Sequence, residues 1–420
     1  MFRKALFVIA CVAIPQYFAF LCVYIYSAYY EYGTFAGTFL FRASDKSFEI
    51  LKPIKLGVHF FGDFYQIFYD TKINGSGGYF GFSQLLMFLV SDLHYFVALS
   101  LTLLLGLACF YLGNHVLLSK FSKIDRVLIF SLLCISFYPI LLCLDRGQIH
   151  LLSIGLVFFG LALIKQANQY KSLGILLLCM GISFKIAPIF FLLLFIRNRD
   201  WKSFRNAGAT LILAIISPAI FMANGIMSIP KSFLSIGSSL YSSPEYFKNT
   251  LAYNQSFKAL AYWLGQSPHG SVQHFGDIMF RHYSIIAVLL ALILMILIIS
   301  QFTSNLEALI LCSIGASLLA PISGLYTNLV FWVCLIEYIQ NSDESKKKIE
   351  SVYVIALGVI CAGKNIPLNF GVFRDDLLVM NSLINPILAL FLIATIGSES
   401  CKGYIHSVID TKVKVMSSLN

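Results

Sequence analysis

The sequence predicts an all-α, polytopic membrane protein: one bundle of about 11–12 transmembrane segments with large outer loops. Three observations carry the prediction. Of 420 residues, 58% are hydrophobic and only 12% are charged, where a soluble domain carries about 25% charged residues. Long apolar runs recur, and Ile285–Ile299 contains no polar residue at all. The cations behind the net charge of +10 cluster in short turns between such runs, which is how Lys and Arg mark the inner side of a membrane. The basic balance therefore reports topology, and no nucleic-acid platform accompanies it. One bundle can take the whole chain, so residues 1–420 are read as a single integral-membrane domain.

The basic turns order the segments. Arg3 and Lys4 hold the start of the chain inside. The first run, about 5–28, is too long for a signal h-region and is followed by no small-residue cleavage site, so it reads as a retained span. Residues 29–82 form the first outer loop, rich in Tyr and Phe, and 83–91 lie in the interface. A span over 93–118 returns to Lys120, Lys123 and Arg126. Residues 127–144 exit to Asp145–His150, and 149–164 return to Lys165 and Lys171.

Residues 172–196 are long enough for one span, but one span would put Arg197, Arg199, Lys202 and Arg205 outside. Two short helices broken at Lys185-Ile186-Ala187-Pro188 keep that turn inside. Pro188 cannot continue a helix without losing a backbone hydrogen bond, and such a break is tolerated where it lines protein or a water-filled cavity. Residues 206–223 then exit to the second outer loop, 224–281. The run after His282 returns to Asn305, and 306–320 exit to Pro321–Asn328. Residues 329–340 return to Lys346-Lys347-Lys348, 351–363 exit to Lys364–Asp376, and 380–397 return. Both termini fall inside, and every polar motif falls on the outer face.

The ten Cys form no CxxC pair and lie mostly in apolar runs, so they read as small buried residues. His269, His274 and Asp277 match no metal-ligand spacing. No resident cofactor or metal is expected, and a divalent-ion requirement stays open. Walker, GxGxxG and GxSxG patterns are absent from the sequence.

The outer polar set comprises Asp63, Asp145, Arg146, Gln148, His150, Lys185, Asn254, Gln255, Tyr326 and Asn328. A Lys at the centre of an apolar helix costs about 2.5–3.5 kcal/mol, so Lys185 either reaches an interface or has a partner in a cavity. Snorkelling at a helix end is the plainer alternative. An acid in the first outer loop together with cations at membrane level suits a lipid-linked phosphate. Arg146 and Lys185 would hold the phosphate, and the acid would act as general base.

Four first-loop acids compete for that role. Asp45 sits beside Arg42 and Lys46 as a local charge cluster, Glu49 is close by, and Asp70 precedes the Gly-rich turn Gly75–Gly78. Asp63 differs, because His59, Phe60, Phe61, Phe64 and Tyr65 surround it. A carboxylate there is partly desolvated, which suits a base, and Gly62 lets a ligand approach the backbone. The alternative for Asp63 is an interfacial carboxylate bonded to nearby backbone.

Arg146-Gly147-Gln148, Lys165, Gly174, Phe184-Lys185-Ile186-Ala187-Pro188, Arg197 and Trp201 form a pattern. It resembles the central region of a bacterial branch of GT-C membrane glycosyltransferases. That branch holds polyprenyl-phosphate-mannose-dependent α-mannosyltransferases and related arabinofuranosyltransferases. Gly62-Asp63-Phe64 with Tyr69, Asn254-Gln255-Ser256 and Ala320-Pro321-Ile322-Ser323 are similar to three further pieces of that pattern. Two places depart from it: Tyr79-Phe80-Gly81-Phe82 stands where the branch often has Tyr-Pro-Pro, and Gly324–Asn328 stands where many mannosyltransferases have a Trp and paired His.

The resemblance implies a GT-C-like bundle in a bacterial inner membrane with its active site facing the periplasm. It implies a polyprenyl-phosphate-linked sugar donor, mannose favoured, and a glycan or glycolipid acceptor, with membrane lipids as surroundings. Asp63 would be the catalytic base and Arg146 and Lys185 the donor-phosphate ligands. Gln148, His150, Asn254, Gln255, Tyr326 and Asn328 would bind substrate. A transporter or flippase of lipid-linked glycans, or a polymerase of them, is the alternative. A transporter should show internal pseudo-symmetry and charges at mid-bilayer, and the sequence shows neither.

Overall fold

The structure, a computed structural model, describes residues 2–30, 85–86, 89–90, 92–221, 229, 254–341, 347–363, 367–368 and 378–419. Asp45, Glu49, Asp63 and Asp70 lie outside the described residues, and the description of Asp145 and Arg146 stops at the backbone. Fifteen α-helices account for nearly all of it. They are α1 (Phe2–Tyr30), α2 (Tyr95–Leu117), α3 (Lys123–Ser136), α4 (Tyr138–Arg146), α5 (His150–Gln166), α6 (Lys171–Phe184), α7 (Leu193–Arg197) and α8 (Trp201–Ile216). After the second outer loop begins come α9 (Phe257–Gly265), α10 (Gly270–Arg281), α11 (Tyr283–Ile299), α12 (Asn305–Leu318), α13 (Trp332–Asn341), α14 (Lys347–Cys361) and α15 (Met380–Leu419). The one extended pairing among the described residues is antiparallel and short, Pro367–Leu368 against Leu378–Val379.

Among the described residues three helices, α1, α2 and α15, are long and apolar enough to cross a membrane, and the count is five if each bent pair is one span. The pairs are α3–α4, bent by 74°, and α10–α11, bent by 80°. Pro139 accounts for the first bend, since it has no N–H to extend the α3 ladder. Four further apolar segments are shorter: 150–166, 187–197, 305–318 and 325–340. On α11, Ile285, Val288 and Ile296 are each about 60% exposed or more, a face that suits lipid and not water. The expected apolar runs thus become helices. The segment expected as the second outer loop differs from a plain loop in that 257–265 and 270–281 are helical.

Helix α5 is the centre of the packing. A Cβ built on Gly155 would stand 2.8 Å from the Gly106 carbonyl oxygen of α2. One on Gly160 would stand 2.7 Å from the Gly174 carbonyl oxygen of α6. Backbones this close are the usual mode of association in lipid, where small residues replace the missing hydrophobic drive. Ser153 adds a hydrogen bond across the interface, its hydroxyl donating to the Gly181 carbonyl at 2.9 Å.

The segment after α6 turns back. The helix ends at Phe184, Lys185 is extended, and a 3-10 turn over Ala187–Leu192 leads into α7. Fourteen residues of α6 rise about 21 Å, and the 3-10 turn with α7 descends about 20 Å. The descent is closed by an ion pair between Lys171, at the start of α6, and Asp200, just past α7. The hydrogen bond from Lys171, first among its partners, holds the Asp200 carboxyl below the usual carboxylate range. Lys185 is therefore at the opposite end of the hairpin from Asp200.

That geometry makes a topological prediction. In a background without native Cys, single cysteines at 185 and 200 should react with an impermeant maleimide from opposite sides. Position 185 is expected to label from outside and 200 only after permeabilisation. Labelling of both from the same side contradicts a hairpin that returns to its starting face.

Candidate active site

The site is assembled at the α5–α6 end of the bundle that holds His150 and Lys185. Gly147 makes it possible locally. It closes α4 with φ 63° and ψ 40°, a left-handed conformation that suits glycine, and the Gln148 N–H bonds back to the Cys143 carbonyl at 2.8 Å. The turn places Gln148 and His150 side by side at the start of α5, both buried. Arg146, as the last residue of α4, is on the same turn.

Because α5 and α6 run antiparallel with their ends matched, Lys185 at the end of α6 returns to the level of His150. Tyr326 comes from a third element, the 3-10 segment Leu325–Phe331 that precedes α13. The Lys185 ammonium lies 4.6 Å from the centre of the Tyr326 ring, within cation–π range. The His150 ring meets the other side of this contact edge-on, with ring centres 5.6 Å apart. His150 is 1% exposed, and among the described residues neither ring nitrogen has a hydrogen-bond partner. Such a group is costly to bury unless something else satisfies it.

Asn254, Gln255 and Asn328 take a different place. Their amides are used inside the protein. The Gln255 amide donates to Asn328 Oδ1 at 2.8 Å and to the Gly324 carbonyl at 3.0 Å. Its oxygen accepts from Asn328 at 2.8 Å and from Asn385 at 2.6 Å. Asn328 and Asn385 both donate to the Ile360 carbonyl at 3.0 Å. Asn254 donates to the Pro321 carbonyl at 2.9 Å and accepts from the backbone N–H groups of Ser256 and Ser323, each at 3.0 Å. The two loop motifs seen in sequence, 254–256 and 320–323, are thus clasped to each other. The clasp fixes the segment that carries Tyr326. At Gly324 a Cβ would stand 2.5 Å from the Tyr326 ring, so glycine is what allows the ring to fold back.

The structure therefore brings Lys185, His150 and Tyr326 together and sets Gln148 beside them. It seats Asn254, Gln255 and Asn328 in the supporting clasp, and Asp63 lies outside the described residues. Sequence reasoning missed Asn385. Its signal was legible: Asn381, Ser382 and Asn385 form a buried polar stripe within the apolar first half of α15. Among the described residues no three potential metal ligands converge.

The clasp can be tested by stability. Gln255→Leu leaves Asn328 and Asn385 without their shared acceptor, and an unsatisfied buried polar group costs about 1–3 kcal/mol. Thermal unfolding in detergent should shift down accordingly. An unchanged Tm would show that the amide network contributes nothing.

The sequence matches the model of glycosyltransferase family 87 over residues 79–321, more than half of the chain. No curated protein and no solved structure matches it. The matched stretch contains the Gly147 turn, His150, Lys185 and the Asn254-Gln255-Ser256 side of the clasp. With its apolar helices, the chain belongs to glycosyltransferase family 87, a GT-C-type family of membrane glycosyltransferases.

Proposed function

We propose that this glycosyltransferase moves a sugar, mannose favoured, from a polyprenyl-phosphate-linked donor to a glycan or glycolipid acceptor. The reaction takes place at the outer face of a bacterial inner membrane, with both termini cytoplasmic. One observation carries the reading: Lys185, Tyr326 and His150 converge from three separate elements at one end of the bundle. A cation anchored on an aromatic face, next to a buried imidazole whose nitrogens are unused among the described residues, suits a phosphate joined to a polar sugar ring. The family membership favours transfer over transport or polymerisation of lipid-linked glycans.

The chemistry is a single inverting displacement. The acceptor oxygen attacks the anomeric carbon and its proton passes to the Asp63 carboxylate. The bond from that carbon to the phosphate oxygen breaks, and the polyprenyl phosphate leaves with the electron pair. Its charge grows from one to two as it leaves. Cations near it thus act more strongly on the transition state than on the bound donor, and no general acid is needed. Lys185 and Arg146 supply the cations. Gln148 and His150 contact the sugar, and Asn254, Gln255 and Asn328 hold the wall that carries Tyr326. No resident metal or organic cofactor enters the scheme.

Incubating the purified protein with a panel of polyprenyl-phosphate sugars and following which is consumed tests the donor class. Within that assay, Lys185→Ala should weaken donor use by the equivalent of about 2–5 kcal/mol, as for loss of one member of a buried charge pair, at a near wild-type folded yield. Unchanged donor affinity would leave Lys185 as a snorkelling side chain. Asp63→Asn should bind donor normally while turnover drops about 100-fold or more. Near wild-type turnover in Asp63→Asn, with loss in Asp45→Asn or Asp70→Asn, would move the base to another carboxylate.

A further inference from the structure

A cavity of about 600 Å³ opens at the other end of α5. The seventeen residues of that helix put roughly 25 Å between this mouth and His150, so the cavity is separate from the candidate active site. Its volume is within the range of about 300–1,000 Å³ typical of ligand pockets. The interior is apolar, formed by Phe158, Phe191, Phe195, Leu309 and Val333.

The mouth is charged, and its charges divide into used and unused. Lys165 pairs with Glu337 at 2.6 Å, and Lys171 pairs with Asp200. Arg197 is buried, and its guanidinium donates to the Ile298, Ser300 and Thr303 carbonyls at the end of α11. Arg199 is different. It is exposed, and among the described residues its side chain has no hydrogen bond or ion pair. Its φ of 55° closes α7: the Arg199 N–H bonds to the Ile196 carbonyl at 3.0 Å and the Asp200 N–H to the Phe195 carbonyl at 2.8 Å, which holds the Arg199 backbone at the cavity rim.

We infer that this cavity binds an anionic phospholipid, one acyl chain lodged among the phenylalanines and the phosphate held by Arg199. The apolar interior excludes a hydrated solute such as a free nucleotide. The surplus cation favours a head group of net negative charge over a zwitterionic one, whose own ammonium offsets its phosphate. A polyprenyl phosphate shares that chemistry, but the mouth lies at the end of α5 opposite His150 and Lys185, away from the site proposed for the donor. The mouth lies among the basic turns, where anionic lipid surfaces attract Lys and Arg.

The test uses the full-length protein in nanodiscs of phosphatidylglycerol or of phosphatidylcholine. Native mass spectrometry should find one phosphatidylglycerol retained per chain, and the Tm should be higher in the anionic discs. Arg199→Ala should lower retention about tenfold or more and remove the Tm difference, whereas Arg199→Lys should keep both. Val333→Phe, which fills the cavity, should also lose the lipid. Should Val333→Phe fail to fold, the exposed Arg199 variants decide. Equal retention in the wild type and Arg199→Ala overturns the inference. So does an equal Tm gain from inorganic phosphate alone, or displacement of the lipid by a polyprenyl phosphate at equal concentration.

Discussion

The arrangement depends on α5 lying in backbone contact with both α2 and α6. Lipid gives no hydrophobic reward for bringing two apolar helices together, so shape and hydrogen bonding must do it. Gly155 and Gly160 remove the side chains that would hold the backbones apart, and the Ser153 hydroxyl bonds across to Gly181. The contact also sets register. With α5 and α6 matched end to end, His150 and Lys185 share one level while Lys165 and Lys171 share the other. A slip of one helical turn would shift them by about 5.4 Å and dissolve the site.

The second constraint is that buried polar groups must be satisfied. It separates the polar residues of this bundle into two kinds. Gln255, Asn328 and Asn385 satisfy one another, and Asn254 satisfies the neighbouring loop, so these amides form a frame. His150 is as deeply buried, yet among the described residues both its nitrogens are unused. The frame is rigid because it is complete; the imidazole is available to a ligand because it is not. Tyr326 links the two kinds, carried by the clasped segment and touching both His150 and Lys185.

Much of the fold was legible in the sequence because hydropathy and basic turns speak locally. The spans around 93–118, 149–164 and 306–320 became helices with nearly those ends. The break at 185–188 could be read from Pro188 and from the charge of the following turn. The partners of the polar residues could not be read. An Asn facing a sugar and an Asn facing another amide look alike in sequence, and Gln255 finds Asn385 across 130 positions. The same holds for Lys165, which meets Glu337, and for Arg199, whose left-handed backbone nothing in Arg197-Asn198-Arg199 announces. The helices within 257–281 were hidden by their shortness, since nine and twelve residues are too few to read as spans.

The central claim is that His150, Lys185 and Tyr326 line one pocket for the donor phosphate. A polyprenyl phosphate with a photoreactive diazirine next to the phosphate tests it most directly, with the crosslinked peptides read by mass spectrometry. The account predicts crosslinks within 146–150, 184–188 and 324–328, suppressed by excess unlabelled polyprenyl-phosphate sugar. Crosslinks confined to other segments, or ones that excess donor does not suppress, would contradict it.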